Sequence, residues 1–344
     1  MSVQAAARSL QDPRWSSFVA GHPAALPFHH PSWAAAIAAC YGFRAFALTV
    51  DRPDGAIVAG LPVIEVRRRR EPPRWVSLPF TDTCPPLVTG APGAALAQQL
   101  DAARRAAGIS RLEVRGELSG PAVHPNGTYL THELPLTGSE REIFARLHAN
   151  QVRRNIRRAE RAGVTVRIGT AEQDLTGVFY RLHTRTRRRL GVAVQPLRYF
   201  RALWRHVLQP GHGAVLIAEH DGAPVAAAVF LTSAGTCVYK YGASDERHWE
   251  VRPNHMLFWQ AIRWARERGC RTLDFGRTDV EDRGLWEFKA RWGTDVRELT
   301  YHLIAEDPPA AGRGGMHPGV RSIIRHGPQV VPRVLGELLY RRYA

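Results

Sequence analysis

Only two of the 47 basic residues in this chain are lysines, Lys240 in "VYKYGAS" and Lys289 in "WEFKARWG". In a sequence that otherwise uses arginine for positive charge, a lysine marks a position suited to a compact ammonium rather than a planar guanidinium. Lys289 is the stronger candidate for chemistry, with a solvated helix position as its alternative; Lys240, between two tyrosines, reads as a packed strand residue. Asp274, Gly276 and Arg277 fall where a short strand should pass into a loop, a frequent place for site residues in α/β folds. Arg277 can grip a phosphate or carboxylate, or pair with Asp279 or Glu281, and Asp274 can accept a proton or serve structure. His255 can titrate near neutral pH or be an ordinary helix-start residue. No G-x-S-x-G elbow, H-E-x-x-H pair or phosphate loop is present, so a reaction here needs neither a covalent serine nor a zincin metal. The four cysteines are scattered, which indicates no disulfide framework and no metal site, and no cofactor is expected.

A second chemical feature is the stretch "NQVRRNIRRAERAG", residues 150–163. Val152, Ile156 and Ala159 form a narrow apolar stripe at helical spacing, which turns Arg153, Arg154, Arg157 and Arg158 outward as a polyanion-binding face. The net charge is +16, and residues 141–210 hold sixteen arginines against four acids, so the surplus is concentrated in mid-chain. Nucleic acid, anionic lipid or a phosphorylated substrate are the partner classes this implies, with arginine-rich solvated faces as the plain alternative.

The elements that must position these residues are legible from a repeat. "DGAIVAGLPV" (54–63) matches "DGAPVAAAVF" (221–230), each an Asp-Gly turn after an apolar run and hence a β-hairpin. "AAGISRLEVRG" (106–116) matches "ERGCRTLDFGR" (267–277), setting Glu113 against Asp274, each block closing a helix at a glycine before a short strand. Each half therefore reads as hairpin, third strand, helix, strand: an α/β (α+β) chain of two tandem domains with mixed sheets. The expected divisions are residues 1–138, residues 139–306 with an arginine-rich helical lead, and a basic tail 307–344 that packs on the second domain, mediates dimerisation or touches an anionic membrane. The N-terminus lacks an apolar leader and no run is long enough to span a membrane, which fits a cytoplasmic protein.

With "NQVRRNIRRAERAGVTV", "YKYGASDERHWEVRPNHMLFWQAIRWA" and "LDFGRTDVEDRGLWEFKARWGT" on the page, the chain resembles the FemABX-type aminoacyltransferases and their relatives over residues 28–305. The resemblance implies two acetyltransferase-like (GNAT) domains. It also implies transfer of an aminoacyl group from aminoacyl-tRNA to an amine on a peptidoglycan precursor, small peptide or natural product. Such aminolysis requires a route for the amine's proton and stabilisation of the oxyanion. The family motif gives the oxyanion role to Lys289, and it places Tyr241, Asn254 and Phe288 along the cleft. Aminoacyl-tRNA phosphates would then lie on Arg153, Arg154, Arg157 and Arg158. Two rival readings remain. One is an acyl-CoA-dependent N-acyltransferase, for which "RRLGVA" (188–193) matches the pyrophosphate-loop letters in the wrong context. The other is a non-enzymatic nucleic-acid binder.

Overall fold

Both Asp-Gly turns close hairpins. Asp54 accepts a hydrogen bond from Ala56 N at 3.0 Å, and Asp221 and Gly222 both have positive φ, the geometry that lets a two-residue turn follow the strand twist. The computed structural model describes residues 5–69, 71–90, 93–308, 318–326, 334–337 and 340. In the first half, β1 (Ala5–Arg8), α1 (Pro13–Gly21) and α2 (Pro31–Tyr41) precede the hairpin β2 (Arg44–Asp51) and β3 (Ile57–Arg68). β4 (Glu71–Val76), the short β5 (Leu87–Val88), α3 (Gly93–Ala106), β6 (Arg111–Val114) and β7 (Val123–Pro135) follow. The second half opens with α4 (Glu140–Arg146), α5 (Arg154–Arg161), β8 (Thr165–Ile168), α6 (Tyr180–Leu190) and α7 (Leu197–Leu203). The hairpin β9 (Gly213–His220) and β10 (Ala223–Ser233) then leads to β11 (Thr236–Ser244), α8 (Pro253–Glu267) and β12 (Thr272–Asp274). β13 (Thr278–Asp279), α9 (Arg283–Ala290), β14 (Asp295–Ile304) and α10 (Pro318–His326) complete it.

The repeat holds at the level of register. β4 and β6 pair in parallel with Val76 opposite Glu113, and β11 and β12 pair in parallel with Val238 opposite Asp274. The boundary expected at residue 138 is a boundary of the repeat and not of the sheets. β7, the last strand of the first half, lies beside β12 of the second, and β14, the last strand of the second, lies beside β6 of the first. β7 and β14 also pair with each other from Asp295 opposite Glu133 to Ile304 opposite Val123. The halves are thereby joined into one continuous sheet.

Three apolar clusters cover the faces of that sheet. One belongs to α3 and the first-half strands, and another to α5 and α8 on the second half. The third is shared between halves, with Trp33, Ile37 and Tyr41 of α2 packed in the same cluster as Tyr199, Phe200 and Leu203 of α7. Val152, Ile156 and Ala159 are all buried, so the stripe read from sequence is the inner face of α5, which a π-helical turn (Ala149–Arg153) introduces. The described part of the tail packs onto α6 and α7: Ile324 and Tyr340 are buried, and Tyr340 Oη receives a hydrogen bond from Arg187 Nη2 at 2.7 Å. No helix among the described residues is long and apolar enough to cross a membrane.

Candidate active site

β11 and β12 are paired only through Val238 and Asp274, and beyond that point they part. At the parting, β11 bulges: Tyr241 faces Val229 and Tyr239 faces Phe230 on adjacent β10, so Lys240 is an extra residue. The bulge sends the two tyrosines to opposite faces. Tyr239 packs with the α5–α8 cluster and lines a cleft of about 260 Å³, together with Ser244, Asn254, Leu257, Phe258 and Phe288. Tyr241 instead joins the shared cluster, its hydroxyl 2.9 Å from that of Tyr199. The expectation that Tyr241 lines this cleft is corrected to Tyr239, because one inserted residue reverses strand alternation. Gly242 makes room for this arrangement: a Cβ there would lie 1.8 Å from Tyr239 Oη. Asn254 and Phe288 line this cleft, Asn254 Nδ2 donating to Ser244 Oγ at 3.3 Å.

Lys289 is not a solvated helix residue. It is buried on the inner face of α9, and its Nζ donates to the carbonyl oxygens of Gly276 at 2.7 Å and Arg277 at 3.0 Å. An ammonium has three donors, so one remains for another acceptor. Burial lowers its pKa to about 8, with the carboxylates of Asp82 and Asp274 opposing the shift. Gly276 has φ +73°, which glycine alone adopts readily, and a Cβ there would lie 3.3 Å from Asp82 Oδ2. Asp274 is buried and accepts from Gly276 N at 2.7 Å, and desolvation raises its pKa to about 7. Its counterpart Glu113 is held by Arg74 at 2.6 Å. The duplicated position is therefore an ion pair in one half and a near-neutral acid in the other.

Arg277 contributes its carbonyl, not its guanidinium. The guanidinium lies 4.0 Å from the centre of the Tyr129 ring and reaches Asp279 only at 3.8 Å, clasping β7 and β14. His255 is half-buried and stacks on Trp292, and its pKa is lowered to about 4, chiefly by desolvation, so its ring is neutral.

The sequence did not single out Asp82. It lies in the loop after β4, where Leu78 and Phe80 both have positive φ, a conformation non-glycine residues hold only when their surroundings enforce it. Ser77 Oγ to Cys84 O (2.9 Å) and Arg115 Nη1 to Thr81 O (2.9 Å) fix the loop. Its carboxylate receives a hydrogen bond from Lys240 Nζ at 3.0 Å, and its carbonyl one from Tyr301 Oη. The Lys240 side chain is buried and also faces the rings of Phe28, Trp33 and Tyr241. Lys240 thus pairs with a first-half carboxylate, while Lys289 bonds to backbone carbonyls and feels the charges of Asp82 and Asp274. The two strained residues just before Asp82 were invisible in sequence, since Leu and Phe do not announce positive φ.

Arg154, Arg157 and Arg158 are exposed on α5 and Arg153 is half-buried. Arg153, Arg154 and Arg157 line an open cavity of about 600 Å³. The "RRLGVA" segment is the C-terminal end of α6 and its Gly191 cap, not a loop between strand and helix. Among the described residues no cluster of His, Cys, Asp or Glu is placed to hold a metal ion.

A strand order with two duplicated parallel pairs, and a cleft where the second pair parts, is that of a tandem GNAT fold. The family model described as an acetyltransferase (GNAT) domain matches residues 146–290. Lipid II:glycine glycyltransferase of Staphylococcus haemolyticus is 37% identical over 90 residues, 24% of this chain and 22% of the relative. That of Staphylococcus epidermidis is 36% identical over 108 residues, 26% of each chain. The match thus spans about a quarter of the length of these curated relatives. Among solved structures, FemX superposes with a TM-score of 0.70 at 16% identity, covering 86% of this chain and 96% of its own. A tandem GNAT protein from the clavulanic acid biosynthesis pathway gives 0.52 at 13%, covering 89% and 99%. The chain thus has the tandem GNAT fold, and over about a quarter of its length it is similar in sequence to these FemX-like glycyltransferases.

Proposed function

We propose that this protein is an aminoacyltransferase that forms an amide bond on an amine of a peptidoglycan precursor or small peptide product, with aminoacyl-tRNA as donor. The observation that carries this reading is buried Lys289 and Asp274 meeting half-buried Asp82 around Gly276, with Phe288, the neighbour of Lys289, lining the small cleft at the parted strands. The acceptor amine attacks the ester carbonyl, the C–N bond forms, and the C–O bond to the ribose breaks. The third N–H of Lys289 meets the oxyanion, and the proton leaving the amine passes to Asp274. Asp274, near pKa 7, can hold that proton and return it to the departing hydroxyl. The relatives named lipid II:glycine glycyltransferase support an acceptor of this class. An aminoacyl-tRNA donor implies action in the cytoplasm.

The match to a family described as an acetyltransferase favours, as a second reading, an acyl-CoA-dependent N-acyltransferase. Incubation of the protein with a peptidoglycan-precursor peptide and either glycyl-tRNA or acetyl-CoA, followed by mass spectrometry, tests both. A mass increase of one aminoacyl residue from charged tRNA supports the proposal. Acetylation from acetyl-CoA alone overturns it in favour of the second reading.

A further inference from the structure

The tail after β14 lies outside the two repeated cores, yet it reaches the loop that carries Asp82. Val320 and Ile324 of α10 pack in the cluster shared between the halves, and Leu335 and Tyr340 enter the same cluster farther along. At Gly336 the tail closes on the second half so tightly that a Cβ would lie 1.7 Å from Val194 O, which leaves room for glycine alone. Glu337 pairs with Arg198, whose Nε donates to Cys40 O at 3.2 Å, so α7 ties the tail to the end of α2 in the first half. Tyr340 Oη accepts from Arg187 Nη2 and donates to Ala193 O at 3.3 Å. Its hydroxyl is thereby fixed to the second half, while its ring meets the first, 5.8 Å from the centre of the Phe80 ring.

Phe80 is one of the two non-glycine residues held at positive φ just before Asp82, a conformation that persists only where neighbours enforce it. Two rings flank it: Tyr41 of α2 at 5.1 Å, and Tyr340. Tyr41 follows Cys40, the residue that Arg198 grips, so both attachments of the tail converge on Phe80. Two positions on, Asp82 receives Lys240 and stands against Gly276, whose carbonyl holds Lys289. We infer that Tyr340 is a positioning residue: the tail clasps the two halves and holds the strained loop 78–82 in place, which keeps Asp82 against Gly276. The inference rests on the acyl-transfer reading above for its effect on the reaction, whereas the placement of the loop is read independently of activity.

The test is hydrogen–deuterium exchange of the full chain, read by mass spectrometry on peptides covering residues 77–86 and, as a control, α3. The proteins compared are wild type, Tyr340→Ala, Tyr340→Phe and Gly336→Ala. Gly336→Ala dislodges the tail without altering Tyr340, so the test does not depend on one variant, and circular dichroism checks that each is folded. Exchange in residues 77–86 should be about tenfold faster in Tyr340→Ala and Gly336→Ala, with α3 unchanged. Tyr340→Phe keeps the ring and should stay near the wild-type rate. In transfer assays kcat should fall about tenfold or more in the two alanine variants with the donor KM unchanged, and Tyr340→Phe should retain most of it. Loop exchange that stays at the wild-type rate, or that rises equally in α3, overturns the inference, and so does a loosened loop with full kcat. If the wild type transfers from neither charged tRNA nor acetyl-CoA, the transferase reading fails, and exchange alone decides whether the tail holds the loop.

Discussion

Asp274→Asn separates a catalytic acid from a structural one. Asn keeps an oxygen to accept the 2.7 Å hydrogen bond from Gly276 N and removes only the ability to ionise. In the folded protein desolvation raises the Asp274 pKa from 3.8 to about 7, so folding holds its proton more tightly than the unfolded chain does. By linkage, its contribution to stability is fully present below pH 4 and is lost as the pH rises to 7. The loss amounts to about 4 kcal/mol at pH 8 and about 2 kcal/mol at pH 5. Urea unfolding of wild type and Asp274→Asn at both pH values should show the variant gaining about 2 kcal/mol relative to wild type between pH 5 and pH 8. Any cost of placing an amide in the site is independent of pH and cancels in that comparison. If Asp274 also carries the amine's proton, transfer by the variant should fall about 10²-fold or more. A stability difference that does not change between pH 5 and 8 would refute the assignment of a buried, neutral-range acid. Full transfer activity in a folded variant would refute its role in proton transfer.

Lys289→Met should lower kcat about 10²- to 10³-fold through loss of an oxyanion donor. Because burial places the Lys289 pKa at about 8, wild-type kcat/KM should decline above pH 8, and Lys289→Arg should move that decline upward wherever it retains activity. Asp82→Asn leaves the buried Lys240 ammonium without its carboxylate and should destabilise the fold by about 3 kcal/mol in urea unfolding; Asp82→Asn/Lys240→Met should recover most of it. If the two substitutions are additive, the pair is not coupled. Replacing Arg153, Arg154, Arg157 and Arg158 by alanine should flatten the dependence of log Kd for tRNA on log salt by about three. The melting temperature should change little, since three of the four are exposed. An unchanged slope would remove the arginine helix from tRNA binding.

The repeat, the hairpins, the paired helices and the inner face of α5 were legible in the amino-acid sequence because each rests on local rules. Asp-Gly turns, apolar periods of two and 3.6, and glycine at helix ends need no distant partner. Composition alone set Lys289 and Lys240 apart, and strand-end position marked Asp274 and Gly276. Tertiary structure decided the rest. The face of Tyr241 depends on a bulge that appears only when β11 pairs with β10. The exchange of β7 and β14 between halves depends on which of two similar strand edges each meets. The site itself joins Asp82 to Gly276 and Lys289 across about two hundred positions of chain, and no local pattern encodes such a meeting. Sequence thus determined the parts and which of them carried unusual chemistry. The low-dielectric junction where the two halves close determined their protonation, because burial and opposing charge exist only once distant segments are packed together.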